Sequence, residues 1–247
     1  EKNREEFRRF VEECHKADIE VILDVVYNHT SEGDSQGPAI SWKGIDENLY
    51  YFIGKDKNYQ DVSGCGNTIA ANRGLVRKLI IESLKCWASE LGVDGFRFDL
   101  GIALSRGENL SPLDNPPIFE DIECEPELID IKFISEPWDC GGLYKLGDFP
   151  SKNTFTWNGH FRDDLRRFWK GDKDTAWNMS DKIKGTPSIY KEDNIFPKSI
   201  NFITSHDGFT LKDLVTFNRK HNFANREQNR DGDNHNNSWN HGIEGPT

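Results

Sequence analysis

The chain has 247 residues, 35% hydrophobic and 12% aromatic, enough for one large domain or two small ones and about what a single β/α barrel needs. Its net charge of −11 argues against nucleic acid and anionic membranes as partners and is compatible with a neutral ligand such as carbohydrate. No apolar run approaches the roughly 18 residues of a spanning helix, and no stretch reads as a signal peptide.

Taken in order, Asn3 can cap a helix running to about Ala17, with Phe7, Phe10, Val11 and Cys14 as one buried stripe. Glu20–Val26 (EVILDVV) reads as a parallel strand buried on both faces. It ends in Tyr27-Asn28-His29, where β/α folds place their chemistry. Residues 30–71 form a long excursion dense in aromatics (Trp42, Tyr50, Tyr51, Phe52, Tyr59). A segment this long without a period is a functional loop or a small subdomain, and most of its aromatics are expected to be its own core. A helix is expected over Asn72–Leu91, its apolar stripe including Leu75, Val76, Leu79, Ile80 and Leu84, with Gly92 as its stop.

The strand Gly95–Leu100 (GFRFDL) follows, with Phe96 and Phe98 alternating with Arg97 and Asp99. Two charges on one strand face either pair structurally or open into a site. After a Pro-rich loop, a short helix is expected over Ile118–Leu128, then a strand, Ile131–Ser135, that ends in Glu136-Pro137-Trp138-Asp139. A short strand around Phe155–Trp157 precedes a helix marked by Phe161, Leu165, Phe168 and Trp169 with an Arg-rich outer face. Residues 175–184 suit another helix, and Ser199–Thr204 reads as a strand ending in Ser205-His206-Asp207. Thr210–Phe217 looks helical, and the tail from Asn218 is polar.

Strands alternating with helices define an α/β parallel pattern. Three carboxylates, Asp99, Glu136 and Asp207, stand at or just after strand ends, accompanied by His29, His206 and Arg97. A barrel gathers such ends around one cavity. Two carboxylates about 5 Å apart there suit a retaining glycosidase, one as nucleophile and one as acid/base. Arg97 would supply a positive charge beside Asp99, and a partly apolar site with Trp138 as wall, together with nearby carboxylates, would help Glu136 hold a proton.

These four stretches resemble the four signature regions of the α-amylase superfamily (glycoside hydrolase family 13): DVVYNH at Asp24–His29, GFRFDL at Gly95–Leu100, EPWD at Glu136–Asp139 and SHD at Ser205–Asp207. Finer stretches resemble its isoamylase and glycogen-debranching group: SGCGNT at Ser63–Thr68, WNGHFRDDLRRFWKGD at Trp157–Asp172, HDGFTLKDLV at His206–Val215 and the tail NRDGDNHNNSWNHGIEGPT. The resemblance implies Asp99 as nucleophile, Glu136 as general acid/base and Asp207 as the carboxylate that holds sugar hydroxyls and stabilises the transition state. It implies that His29, Arg97 and His206 line the subsite of the attacked glucose, and that the substrate is a branched α-glucan (glycogen, amylopectin or limit dextrin) cleaved at α-1,6 linkages.

The fold implied is a partial (β/α)8 TIM barrel, about strands three to seven. Residues 1–29 and 72–247 belong to the barrel and 30–71 to the excursion. The ends read as cuts through a longer chain, so the segment by itself is expected to be an open sheet prone to aggregation and inactive. An α-glucan transferase of the same superfamily is a second reading. A non-catalytic glucan-binding subunit is a third, disfavoured because all three carboxylates are present. No cofactor is expected, and no metal: Asp231–His235 (DGDNH) lacks the register of a calcium-binding EF-hand loop. Five scattered cysteines with no CxxC are expected to be reduced thiols of a cytosol-like compartment, bacterial cytoplasm or a plastid.

Overall fold

The computed structural model describes residues 2–190 and 198–245. They fall into two compact units that divide between residues 156 and 157. In the first, α1 (Lys2–Lys16) leads into β1 (Ile22–Val25), and α2 (Lys43–Tyr50) lies in the excursion. Next come α3 (Gly74–Lys85), β2 (Gly95–Phe98), α4 (Pro117–Cys124), β3 (Lys132–Ser135) and β4 (Thr154–Trp157), whose last residue, Trp157, opens the second unit. The second unit holds α5 (Gly159–Lys170), α6 (Ala176–Ile183), β5 (Ser199–Ile200) and α7 (Leu211–Leu214). β1 through β4 pair in parallel in that order. This is the expected α/β architecture, an open stretch of parallel sheet as in a partial barrel.

The period of β2 sets its two faces. Phe96 and Phe98 are buried on one side, where both rings stack on Phe133 of β3 at about 6 Å. Val76, Ile80 and Leu84 of α3 and Ile118 and Ile122 of α4 belong to the same core. The other face of β2 carries Arg97.

Several apolar positions depart from the expected pattern. In β1 only Val25 is buried, while Ile22 and, just past the strand, Val26 are exposed; among the described residues β1 has a single strand neighbour, β2. Phe10 of α1 and Leu75 and Leu79 of α3 are exposed, and Ile81 takes part in the core instead. In α5 it is Arg166 that is buried, donating to the Ile203 carbonyl at 2.8 Å, while Trp169 is 74% exposed. The strand expected over Ser199–Thr204 shortens to two residues, and the helix expected over Thr210–Phe217 to four, capped by the Thr210 side chain.

Within the excursion, Tyr51 and Phe52 are buried, and Trp42 stacks on Tyr50 at 4.9 Å. A fully buried Glu32 organises the turn before α2. It accepts from the backbone N–H of Ile40, Ser41 and Lys43 and from the Tyr51 phenol. Burial alone would raise the pKa of Glu32, but these donors outweigh it and hold it down at about 2. The folded value lies below the unfolded one, so the stabilisation is fully present above about pH 4.5 and is lost as pH falls toward 2. Glu32→Gln is expected to lower unfolding stability by about 2–3 kcal/mol at pH 7. The gap to wild type should narrow between pH 5 and pH 2.5 in urea denaturation curves. A gap independent of pH would rule out the ionised carboxylate as the source.

Candidate active site

The parallel register builds the site. Asp24 of β1 stands level with Arg97 of β2, and Val25, Phe98 and Ser135 stand level one residue later. Asp99 and Glu136 therefore leave neighbouring strand ends at the same height, the first donating its N–H to the Val25 carbonyl and the second to Phe98. Neighbouring strands lie about 4.8 Å apart. Carboxylate oxygens of Asp99 and Glu136 accordingly come within 4.8 Å of each other.

Arg97 sits between the acids with only 6% of its side chain exposed. One terminal nitrogen, Nη1, lies 2.9 Å from Asp24 Oδ1 and 3.3 Å from Asp99 Oδ1, and the other pairs with Glu136 Oε1. Burial would lower the Arg97 pKa, but Glu136 first, then Asp24 and Asp99, more than offset it and raise the value above its ordinary one. One buried guanidinium thus meets three carboxyl groups at the strand ends.

Each catalytic candidate has a further anchor. Asn28 is completely buried, and its Nδ2 donates to both the Asp99 carbonyl (2.7 Å) and Asp99 Oδ2 (2.9 Å). Its Oδ1 pairs with His29 Nδ1 at 2.6 Å, so Asn28 ties His29 to Asp99. The backbone N–H of Leu100 donates to Glu136 Oε2 at 2.8 Å. Leu100 adopts a left-handed conformation to do so, φ 39°, which for a branched residue costs on the order of 1–3 kcal/mol. Glu136 therefore meets a guanidinium and a backbone N–H, with the Asp99 carboxylate close by. Trp138 is half-buried and stacks on Tyr144, ring centres 5.8 Å apart.

In the second unit, His206 and Asp207 follow β5. They lie 3.3 Å apart, both more than half exposed, and line a cavity of about 390 Å³ with Phe209, Asp213 and Phe217. The His206 ring is 6.1 Å from that of Trp157. Of the residues singled out in the sequence, Asp99, Glu136, Arg97, His29 and Trp138 thus cluster at the ends of β1–β3, and His206 and Asp207 neighbour each other after β5.

Three contributors escaped the sequence reading: Asp24, Asn28 and the N–H of Leu100. Asp24 had a readable signal, a lone charge in an apolar strand that needs a partner. Asn28 sat inside a polar strand end where only His29 was singled out. A backbone donor carries no sequence signal.

Two carboxylates at this separation, one of them hydrogen-bonded by a buried amide, fit a double displacement at a glycosidic carbon. Among the described residues, no helix is long and apolar enough to cross a membrane.

No family model matches the chain. It is 45% identical to the chloroplastic isoamylase SU1 of Zea mays, over 97% of this chain and 33% of that protein. It is 48% identical to the chloroplastic isoamylase 3 of Oryza sativa subsp. japonica, over 98% of this chain and 32% of that one. A glycogen operon protein GlgX homolog of Mycobacterium tuberculosis is 46% identical, over 98% of this chain and 34% of its own length. Among solved structures, the maltotetraose complex of a pullulanase from Anoxybacillus sp. LM18-11 superposes with a TM-score of 0.64. That match has 25% identity and covers 83% of this chain and 30% of that one. The chain spans about a third of the length of the curated relatives it matches.

Proposed function

Because the chain belongs to the isoamylase and glycogen-debranching group of the α-amylase superfamily, we propose that the protein hydrolyses α-1,6 branch linkages of glycogen or amylopectin-type glucans with retention at the anomeric carbon. The observation that carries this reading is the close approach of Asp99 and Glu136 with Arg97 between them.

In the proposed reaction Asp99 attacks the anomeric carbon of the branch glucose while protonated Glu136 gives its proton to the departing O6. The glycosidic bond breaks as an ester to Asp99 forms. Glu136, now a carboxylate, takes a proton from water, whose oxygen attacks the same carbon and releases Asp99. The first step requires Glu136 in its protonated form, as any general acid does. Asp207 serves as the third carboxylate, stabilising the transition state. His29, Arg97 and His206 hold the attacked glucose, and Trp138 offers a sugar-stacking face. Five free cysteines suit a reducing compartment, bacterial cytoplasm or a plastid.

Reducing-end release from glycogen, followed by linkage analysis, tests the reading. The expected result is loss of α-1,6 branches with new linear chains. Constant reducing ends with redistributed linkages would identify a transferase, which shares the chemistry up to the covalent intermediate. Glucan binding with neither change would identify a binding subunit.

A further inference from the structure

The segment after Glu136 folds back as a tight hairpin. Lys145 donates its N–H to the Pro137 carbonyl at 2.7 Å, and Asp139 to the Leu143 carbonyl at 3.0 Å. Trp138 and Tyr144 are antiparallel partners, their rings nearly parallel at 13°. Side chains alternate across a strand, so Asp139, between Trp138 and the hairpin tip, points away from these rings. Its side chain is fully buried and meets Arg106: Nε and Nη2 donate to Asp139 Oδ2 at 2.9 and 2.7 Å. The remaining Arg106 nitrogen, Nη1, donates to the Leu110 carbonyl at 2.7 Å.

The loop that carries Arg106 is the one that begins with Leu100, whose N–H holds Glu136. Residues 100–106 thus grip the Glu136–Asp139 segment at both ends. Packing leaves little room for adjustment, since a Cβ on Gly141 would come within 2.5 Å of Val62 and 3.1 Å of Arg106 Nη2. A buried ion pair is a poor way to gain stability, because well-packed apolar residues often do as well or better. Its asset is direction, since a guanidinium fixes the position of the carboxylate it holds.

We propose that Arg106 is a positioning residue which, through Asp139, holds Trp138 and Tyr144 as a two-ring platform for a glucose unit of the bound α-glucan, with Tyr144 as a binding residue of that platform. This rests on the glucan-cleaving reading above. Tyr144 is 42% exposed, as a stacking face must be, and neither Arg106 nor Tyr144 takes part in the bond-making steps.

The test uses the full-length protein with Arg106→Met, Arg106→Lys, Tyr144→Ala and the Arg106→Met/Tyr144→Ala pair. Kinetics on glycogen are read alongside maltohexaose affinity by calorimetry. Arg106→Met and Tyr144→Ala are each expected to raise KM and weaken maltohexaose about 10-fold, with kcat within about 3-fold of wild type and an unchanged pH profile. Arg106→Lys should recover part of the loss, and the double variant should be no worse than the poorer single one, because the two act through one platform. Arg106→Met that melts lower yet shows wild-type KM and maltohexaose affinity per folded molecule would overturn the proposal, as would a fall in kcat at constant KM or full additivity in the double variant. Tyr144→Ala, at an exposed position, keeps the test decisive if Arg106→Met fails to fold. Maltohexaose affinity separates the two readings: a wild-type protein that binds maltohexaose without cleaving branches defeats the debranching assignment and leaves the platform testable.

Discussion

Asp99→Asn is expected to abolish branch hydrolysis, lowering kcat by at least about 10³-fold, equivalent to about 4 kcal/mol of transition-state stabilisation. The amide is nearly isosteric and its oxygen can still accept from Asn28, whose Nδ2 lies 2.9 Å from the native Oδ2. The fold and glucan binding should therefore persist. In the proposed mechanism what is lost is the oxygen that forms the glycosyl ester, a species made only on the reaction path, so kcat should fall without KM rising in step. Reducing-end assays on glycogen, with maltohexaose calorimetry as the control for binding, decide the matter. Residual activity of a tenth of wild type in a variant that still binds would remove Asp99 from the nucleophile's role.

Arg97→Met is expected to destabilise the protein by about 3–5 kcal/mol, the range found when one partner of a buried ion pair is removed. The cost is high here because one side chain, 6% exposed, meets Asp24, Asp99 and Glu136 together, and Glu136 is itself buried. Methionine fills much of the volume but leaves these acids facing each other without a cation. Arg97→Lys should recover only part of the loss, since an ammonium is a point charge that cannot reach partners on three strands through a planar fork. Urea denaturation reads the effect directly, and a loss below about 1 kcal/mol for Arg97→Met would show that solvent already screens the cluster. Activity should fall with either substitution, because the same guanidinium lies between the proposed nucleophile Asp99 and the proposed acid/base Glu136.

Much of this architecture is legible along the chain. The alternation in GFRFDL places Phe96 and Phe98 in the core and Arg97 on the opposite face, as found. The apolar runs locate β1 and β3, and the polar residues that follow them locate the strand ends that matter. Less legible is which apolar residues are covered. Leu75 of α3 is 66% exposed and Trp169 of α5 is 74% exposed, although each lies on a periodic stripe. A stripe states which side of a helix is apolar, and whether another element covers it depends on partners elsewhere in the fold. The buried Arg166 shows the converse: an arginine read as part of an outer face turns inward because the Ile203 carbonyl offers it an acceptor.

The sequence by itself determined the alternating α/β order, the positions of the strand ends and the residue types that stand there, because these follow from local period and from where apolar runs stop. Tertiary structure alone decided how those residues meet. Strand register sets Asp24 against Arg97 and brings Glu136 level with Asp99. A left-handed Leu100 aims a backbone N–H at Glu136, and Arg106 finds Asp139 across 33 residues of chain. Each of these contacts depends on the relative placement of segments far apart in sequence, and charge neutralisation among buried groups is settled only when that placement is made.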